Sequence, residues 1–116
     1  MSVKTSKSGF QRIFVPVSFN MSTGPAHWEL LFRCRAVDQQ CYTVGTSSAR
    51  DEKAGYVAWG HSIVCDPWGT VAHQCGAGEE TAVVTLHMER VADVRRQLPV
   101  LSARRTDVYT LREERN

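Results

Sequence analysis

Apolar and polar positions change period several times along this chain, and each change marks an element. Gln11 to Ser18 (QRIFVPVS) is a run of β-branched and aromatic residues too short for a helix. It reads as a strand with Ile13, Phe14 and Val15 as core, and Pro16, which has no ladder donor, marks its end or a sheet edge. Ser22, Thr23 and Gly24 are capping types, Pro25 is pre-set for a first helical turn, and Glu29 sits near the positive helix end. Together they predict a helix from Pro25 to Gln39. On it Trp28, Leu31 and Arg35 share a face with Asp38, while Leu30, Cys34, Val37 and Cys41 form an adjacent apolar stripe. Two apolar faces require two neighbours.

Tyr42 to Thr46 (YTVGT) reads as a second strand, and the polar stretch Ser47 to Gly60 as a surface loop. His61 to Asp66 alternates, with His61, Ile63 and Cys65 on one face and Ser62, Val64 and Asp66 on the other. Asp66-Pro67-Trp68-Gly69 has the residue order of a type I turn, and Thr70 to Gln74 returns as the partner strand. After the break at Gly76-Ala77-Gly78, Thr81 to Met88 gives the clearest alternation in the chain, with Ala82, Val84, Leu86 and Met88 against Thr81, Val83, Thr85 and His87. Glu89 to Leu98 is a short amphipathic helix with Val91, Val94 and Leu98 as its stripe and Pro99 as its stop. Beyond it Val100, Leu101, Val108, Tyr109 and Leu111 are expected to dock an irregular tail.

At 116 residues the chain suffices for one modest domain, and 42% hydrophobic with 22% charged residues is ordinary for a globular protein. No apolar run reaches the length of a bilayer span, so a membrane location is not expected. The net charge of +2 is spread over scattered Lys and Arg with no aromatic interleaving, which excludes a nucleic-acid stripe. Four cysteines without a Cys-x-x-Cys pair or a signal-peptide pattern point to reduced thiols in the cytoplasm. The acid-free stretch before Glu29 keeps a mitochondrial address as the alternative to an ordinary N-terminus. His61 with Cys65 and His73 with Cys75 have ligand chemistry, but the expected reading of the cysteines is as small buried hydrophobes, with no metal.

Four spaced motifs go further: Phe19-Asn20-Met21-Ser22-Thr23-Gly24-Pro25-Ala26-His27-Trp28, Arg33-Cys34-Arg35-Ala36-Val37-Asp38, Trp59-Gly60-His61-Ser62 and Asp66-Pro67-Trp68-Gly69. In this order they resemble the nitrilase superfamily of carbon-nitrogen hydrolases, in its omega-amidase branch. The resemblance runs from Gly9 to Tyr109, leaving residues 1–8 as an unmatched polar N-terminus and 110–116 as a polar tail. It implies an α/β fold, the C-terminal half of a four-layer α-β-β-α sandwich. The activity it implies is hydrolysis of the terminal amide of a dicarboxylic acid monoamide such as 2-oxoglutaramate, in glutamine and asparagine metabolism, with no cofactor. In the family a glutamate, a lysine and a cysteine do this chemistry, and no residue of this chain matches them, so no catalytic residue is assigned. An alternative is a non-catalytic truncated isoform that associates with a full-length amidase subunit.

The same resemblance places Phe19, Asn20, Met21 and Thr23 beside the acyl pocket as substrate-binding residues, with Val17 standing where the family usually has a small residue. It also implies a homo-oligomer or a full-length amidase partner held through the Pro25 to Gln39 helix. His27 reads as a packing residue, and Arg33, Arg35 and Asp38 as structural ion pairs. Arg50, with Ser47 and Ser48, is a weaker candidate for a substrate carboxylate, set against an ordinary solvated loop.

Overall fold

A helix between two strands obliges them to run the same way, and the first three elements obey that rule. In the computed structural model, which describes residues 9–114, β1 (Arg12–Pro16), α1 (Thr23–Gln39) and β2 (Tyr42–Thr46) form a β-α-β unit. Its strands are parallel, with Arg12 opposite Tyr42 and Pro16 opposite Thr46. The chain then continues as an antiparallel meander, β3 (Ile63–Cys65) and β4 (Val71–Gln74), before α2 (Met88–Gln97). The four-stranded sheet has the order β1-β2-β3-β4. No helix among the described residues is long and apolar enough to cross a membrane.

One face of the sheet is covered by α1. Gly24, Trp28, Phe32 and Ala36, four residues apart, are its buried positions, and the last three pack with Ile63 and Cys65. The Trp28 and Phe32 rings lie 4.7 Å apart, and Phe19 meets Trp28 edge-on at 5.1 Å. Gly45 in β2 has no side chain because the Phe32 ring occupies the space: a Cβ there would stand 2.4 Å from Cζ. The stripe expected from Leu30, Cys34 and Val37 is exposed instead, and only Cys41, beyond the helix end, is buried. His27 is exposed, so it does not pack. Periodicity could not choose between the helix faces, because all of them carry apolar residues. The sheet favours the face where Ala36 and Gly45 permit close approach.

The other face holds a smaller cluster of Tyr42, Val64 and Val91, with Val44, Val84, Leu86 and Met88 against it. The alternation read in Thr81 to Met88 is present: Val84, Leu86 and Met88 turn inward while Val83 is 98% exposed. The strand is not. Residues 81–87 lie over the face of the sheet and form no ladder among the described residues, and Met88 opens α2. Period two reports which side chains face the core, and a segment lying across a sheet satisfies it as well as one lying alongside. Phe14, expected in the core, points from this same face and is 62% exposed, since the start of α2 reaches only the Arg12 end of β1, where Met88 Sδ lies 3.9 Å from the Arg12 guanidinium. Leu98 and the tail residues Val100, Leu101, Val108, Tyr109 and Leu111 are likewise exposed and do not dock.

Two details fix the rest. Arg95 donates to the Phe10 carbonyl at 2.7 Å, tying α2 to the chain ahead of β1. Between β3 and β4 the Gly69 amide bonds Asp66 O at 2.9 Å, and Asp66 Oδ1 accepts the Trp68 and Thr70 amides, so the expected turn closes.

Candidate functional site

Loops leaving the C-terminal ends of neighbouring parallel strands converge, and that is where an α/β sheet builds its binding crevice. Here the two ends are Pro16 and Thr46. Val17 N–H still donates to Thr46 O at 3.0 Å, and the loops then meet through Ser18 and Ser48, whose hydroxyls lie 3.2 Å apart. The Ser48 amide also reaches Ser18 Oγ at 3.2 Å, and the Tyr56 hydroxyl donates to Ser18 O at 3.1 Å. Ser47 N–H bonds Ser62 Oγ at 3.0 Å, joining this rim to the start of β3.

The residues expected to line a pocket sit on this rim, with separate duties. Phe19 is half-buried: its ring meets Trp28 edge-on, and its carbonyl accepts the Trp59 amide at 2.7 Å. Asn20 Oδ1 accepts the amides of Ser22 at 2.9 Å and Thr23 at 2.8 Å and the Thr23 hydroxyl at 3.0 Å. It therefore does the capping that sequence reading gave to Ser22 and Thr23, while the Ser22 side chain makes no capping bond. Met21 is exposed and Thr23 half-buried. Among Phe19, Asn20, Met21 and Thr23 there is no thiol, amine or carboxylate, so their chemistry suits contact and not bond breaking.

Trp59 is the residue that sequence reading missed, although it stands in the Trp59-Gly60-His61-Ser62 motif. It covers Gly24, where a Cβ would come within 2.2 Å of its ring. Arg50 stacks on it with the guanidinium carbon 4.9 Å from the ring centroid and donates to its carbonyl at 2.9 Å. Arg50 is thus held in place, not solvated, which a polar loop composition could not reveal. Arg35 pairs with Asp38 at 2.6 Å, and Arg33 spans Glu29 at 3.7 Å and Gly69 O at 2.8 Å, structural contacts as expected.

The cysteines lie elsewhere. Cys41 and Cys65 are buried, and burial pushes both thiols up to about 11. Cys34 is exposed on the outer face of α1. Cys75, just past β4, has its thiol raised by burial and then by the Glu80 carboxylate. His61 and Cys65 are not brought together as ligands, since His61 Nδ1 lies 3.1 Å from Cys75 O and Cys65 faces the Trp28 core. His73, Cys75 and Glu80 do converge, with their ligand atoms all within 4.8 Å of one another.

Comparison with known proteins places this geometry. The family model for carbon-nitrogen hydrolases matches residues 2–96. The omega-amidase NIT2 of Xenopus tropicalis is 49% identical over 111 residues, 96% of this chain and 40% of that protein. The omega-amidase NIT2 of Danio rerio is 50% identical over 106 residues, 91% of this chain and 38% of that protein. Among solved structures, the NitFhit protein of C. elegans superposes with a TM-score of 0.82 at 38% identity, covering 90% of this chain and 25% of that one. Saccharomyces cerevisiae Nit3, of the nitrilase superfamily, gives 0.80 at 41% identity, covering 85% and 36%. The chain spans about 40% of the length of the curated relatives it matches.

Proposed function

This chain belongs to the carbon-nitrogen hydrolase family, and on that premise we propose that it forms the pocket rim of an omega-amidase-like enzyme. The substrate is a linear dicarboxylic acid monoamide of the 2-oxoglutaramate or 2-oxosuccinamate kind, hydrolysed to the dicarboxylate and ammonia. The observation that carries this reading is the β1–α1 loop, held at the ends of two parallel strands by the Ser18–Ser48 contact and by Asn20. Phe19 and Met21 offer apolar surface to the methylene chain, and Thr23 with the Asn20 side-chain amide offers polar contacts, the usual division of labour in a small-molecule pocket.

Bond breaking falls to residues outside this chain: a cysteine that attacks the amide carbon, a glutamate that moves the protons and a lysine that stabilises the oxyanion. The thiols support that division. A nucleophilic cysteine needs a lowered pKa beside a positive or basic group. Cys41 and Cys65 are shifted the opposite way, Cys34 faces away from the rim, and Cys75, although His73 Nε2 lies 3.7 Å away, is also raised, by burial and by Glu80. Assembly follows from the same premise. The exposed groove of Leu30, Cys34, Val37 and Trp68, about 310 Å³ in volume, favours α1 as the contact with a second copy or with a full-length amidase subunit.

Ammonia release from 2-oxoglutaramate or succinamate tests the division of labour. The purified chain is expected to show none, and turnover lost on changing any one of the four cysteines to Ala would overturn it. In a whole enzyme carrying these residues, Thr23→Leu should raise KM or lower kcat with the fold intact. Unchanged kinetics there would remove the loop from the pocket.

A further inference from the structure

His73, Cys75 and Glu80 form a cluster that the amidase chemistry leaves unused, and its geometry arises from a local irregularity in the sheet. In β4, Val71 lies opposite Cys65 while His73 lies opposite Val64, so one residue, Ala72, is extra. Such a bulge reverses the alternation that follows it and re-aims the next side chain. Val71 thus packs with the Trp28 core, whereas His73 shares the opposite face with Val64. Cys75, two residues on, follows His73 to that face, where the segment from Glu80 to Val84 crosses the sheet.

We propose that His73 Nε2, Cys75 Sγ and a Glu80 carboxylate oxygen bind a borderline divalent transition-metal ion of the zinc type. His73 Nε2 and Cys75 Sγ are 3.7 Å apart. Metal bonds of about 2.3 Å to sulfur and about 2.0 Å to nitrogen, set at the tetrahedral angle, require roughly 3.5 Å between those atoms. All three ligand atoms fall within 4.8 Å of one another, so a small side-chain rotation brings the carboxylate onto the same ion. The mixed nitrogen, sulfur and oxygen set suits zinc and its neighbours, whereas Ca²⁺ and Mg²⁺ take oxygen ligands.

The frame under the cluster is fixed by backbone. Cys75 N–H donates to Ser62 O at 2.8 Å, His61 N–H to Gly76 O at 3.1 Å and Arg50 N–H to Ala77 O at 2.7 Å. Glu80 is drawn back over the loop because its Oε2 accepts the Gly76 amide at 2.8 Å, which leaves its second oxygen for the ion. The fourth coordination position opens toward cavities of about 270 and 410 Å³ that share Cys75 and Glu80, where water completes the shell. Binding replaces the thiol proton by the ion, and the released proton goes to solvent.

Cobalt(II) titration of the full chain tests this. One equivalent should produce a thiolate-to-cobalt charge-transfer band with tetrahedral d–d absorption, displaced by Zn²⁺. Cys75→Ser should abolish the charge-transfer band, His73→Gln and Glu80→Gln should each weaken binding by at least about tenfold, and Cys34→Ser should leave it unchanged. Absence of the band in the native chain overturns the proposal, as does its persistence in Cys75→Ser or its loss in Cys34→Ser. Affinity unchanged in both His73→Gln and Glu80→Gln overturns it as well, and those two positions need no buried packing to be altered. The amide-hydrolysis assay does not enter this test, so the two readings stand or fall separately.

Discussion

Asn20 has two claims on one side chain, and its two ends separate them. The Oδ1 atom is committed to the Ser22 and Thr23 amides, donors that the first turn of α1 leaves without intrahelical partners. Asn20→Ala should therefore cost about 1–2 kcal/mol in urea denaturation, while Asn20→Asp, which keeps the acceptor, should stay close to the native midpoint. Equal losses in both variants would show that the capping bonds carry no weight. Sequence reading recognised this stretch as a helix start but gave the cap to Ser22 and Thr23, because cap preference names residue types and not which of several adjacent polar side chains turns inward. The buried thiols make a second statement at this scale. Cys41 and Cys65 are raised from an ordinary 9.0 to about 11, so between those values the folded chain keeps protons that the unfolded chain has lost. Their contribution is complete below pH 9 and is lost as pH rises from about 9 through about 11, with a slope of at most about 1.4 kcal/mol per pH unit for each group. Thermal denaturation scanned over that range should show falling stability, and Cys41→Ala with Cys65→Ala should flatten the fall.

Helix α1 shows how far periodicity reaches at the scale of an element. Its extent was readable to within two residues, because Pro25 and the polar cluster before it are local signals. Its buried face was not, since Leu30, Leu31, Val37 and Cys34 are as apolar as the residues that pack. The deciding feature lies in another element: Gly45 leaves room for Phe32, and Thr43 Oγ1 donates to Phe32 O at 2.9 Å. Gly45→Ala should cost about 1–3 kcal/mol, as forced overpacking does. Shrinking the ring in the same protein with Phe32→Leu should recover part of that loss, because residues in contact couple. Additive losses would mean that the two positions do not meet. The alternation of residues 81–88 was readable in the same way and misleading in a different one: it gave Val84, Leu86 and Met88 as inward correctly, though Ala82 is exposed, and could not distinguish a ladder partner from a segment crossing the sheet. The β4 bulge had no sequence signal at all, and without it His73 would stand on the face of the Trp28 core instead of beside Glu80.

At the scale of the whole molecule, the surface carries more apolar area than scattered exposure explains. Phe14 projects from the edge strand β1, Val83 from the crossing segment, and Leu30, Leu31, Val37 and Trp68 from the side of α1 and the β3–β4 turn. Contiguous apolar patches and unpaired sheet edges are association sites. The residues alone do not say which of them a partner would cover, because a covering surface is a property of residues elsewhere, and only the family resemblance points to α1. The Leu30–Val37–Trp68 groove is the patch most suited to a specific contact: it is concave, lies on the longer helix, and is bordered by the paired charges Arg33 with Glu29 and Arg35 with Asp38. The edge of β1 and Val83 offer only a line and a point. In sedimentation the chain should therefore run as a dimer or bind a full-length amidase subunit. Leu30→Asp with Val37→Asp should shift it to monomer and raise binding of an apolar dye to the surfaces released, with circular dichroism unchanged because neither side chain enters the core. A native chain that sediments as a monomer, binds no dye and protects the amides of all four strands from exchange would show that these patches need no cover. The association reading of α1 would then be lost, while the proposed pocket rim at the ends of β1 and β2 would keep its own test.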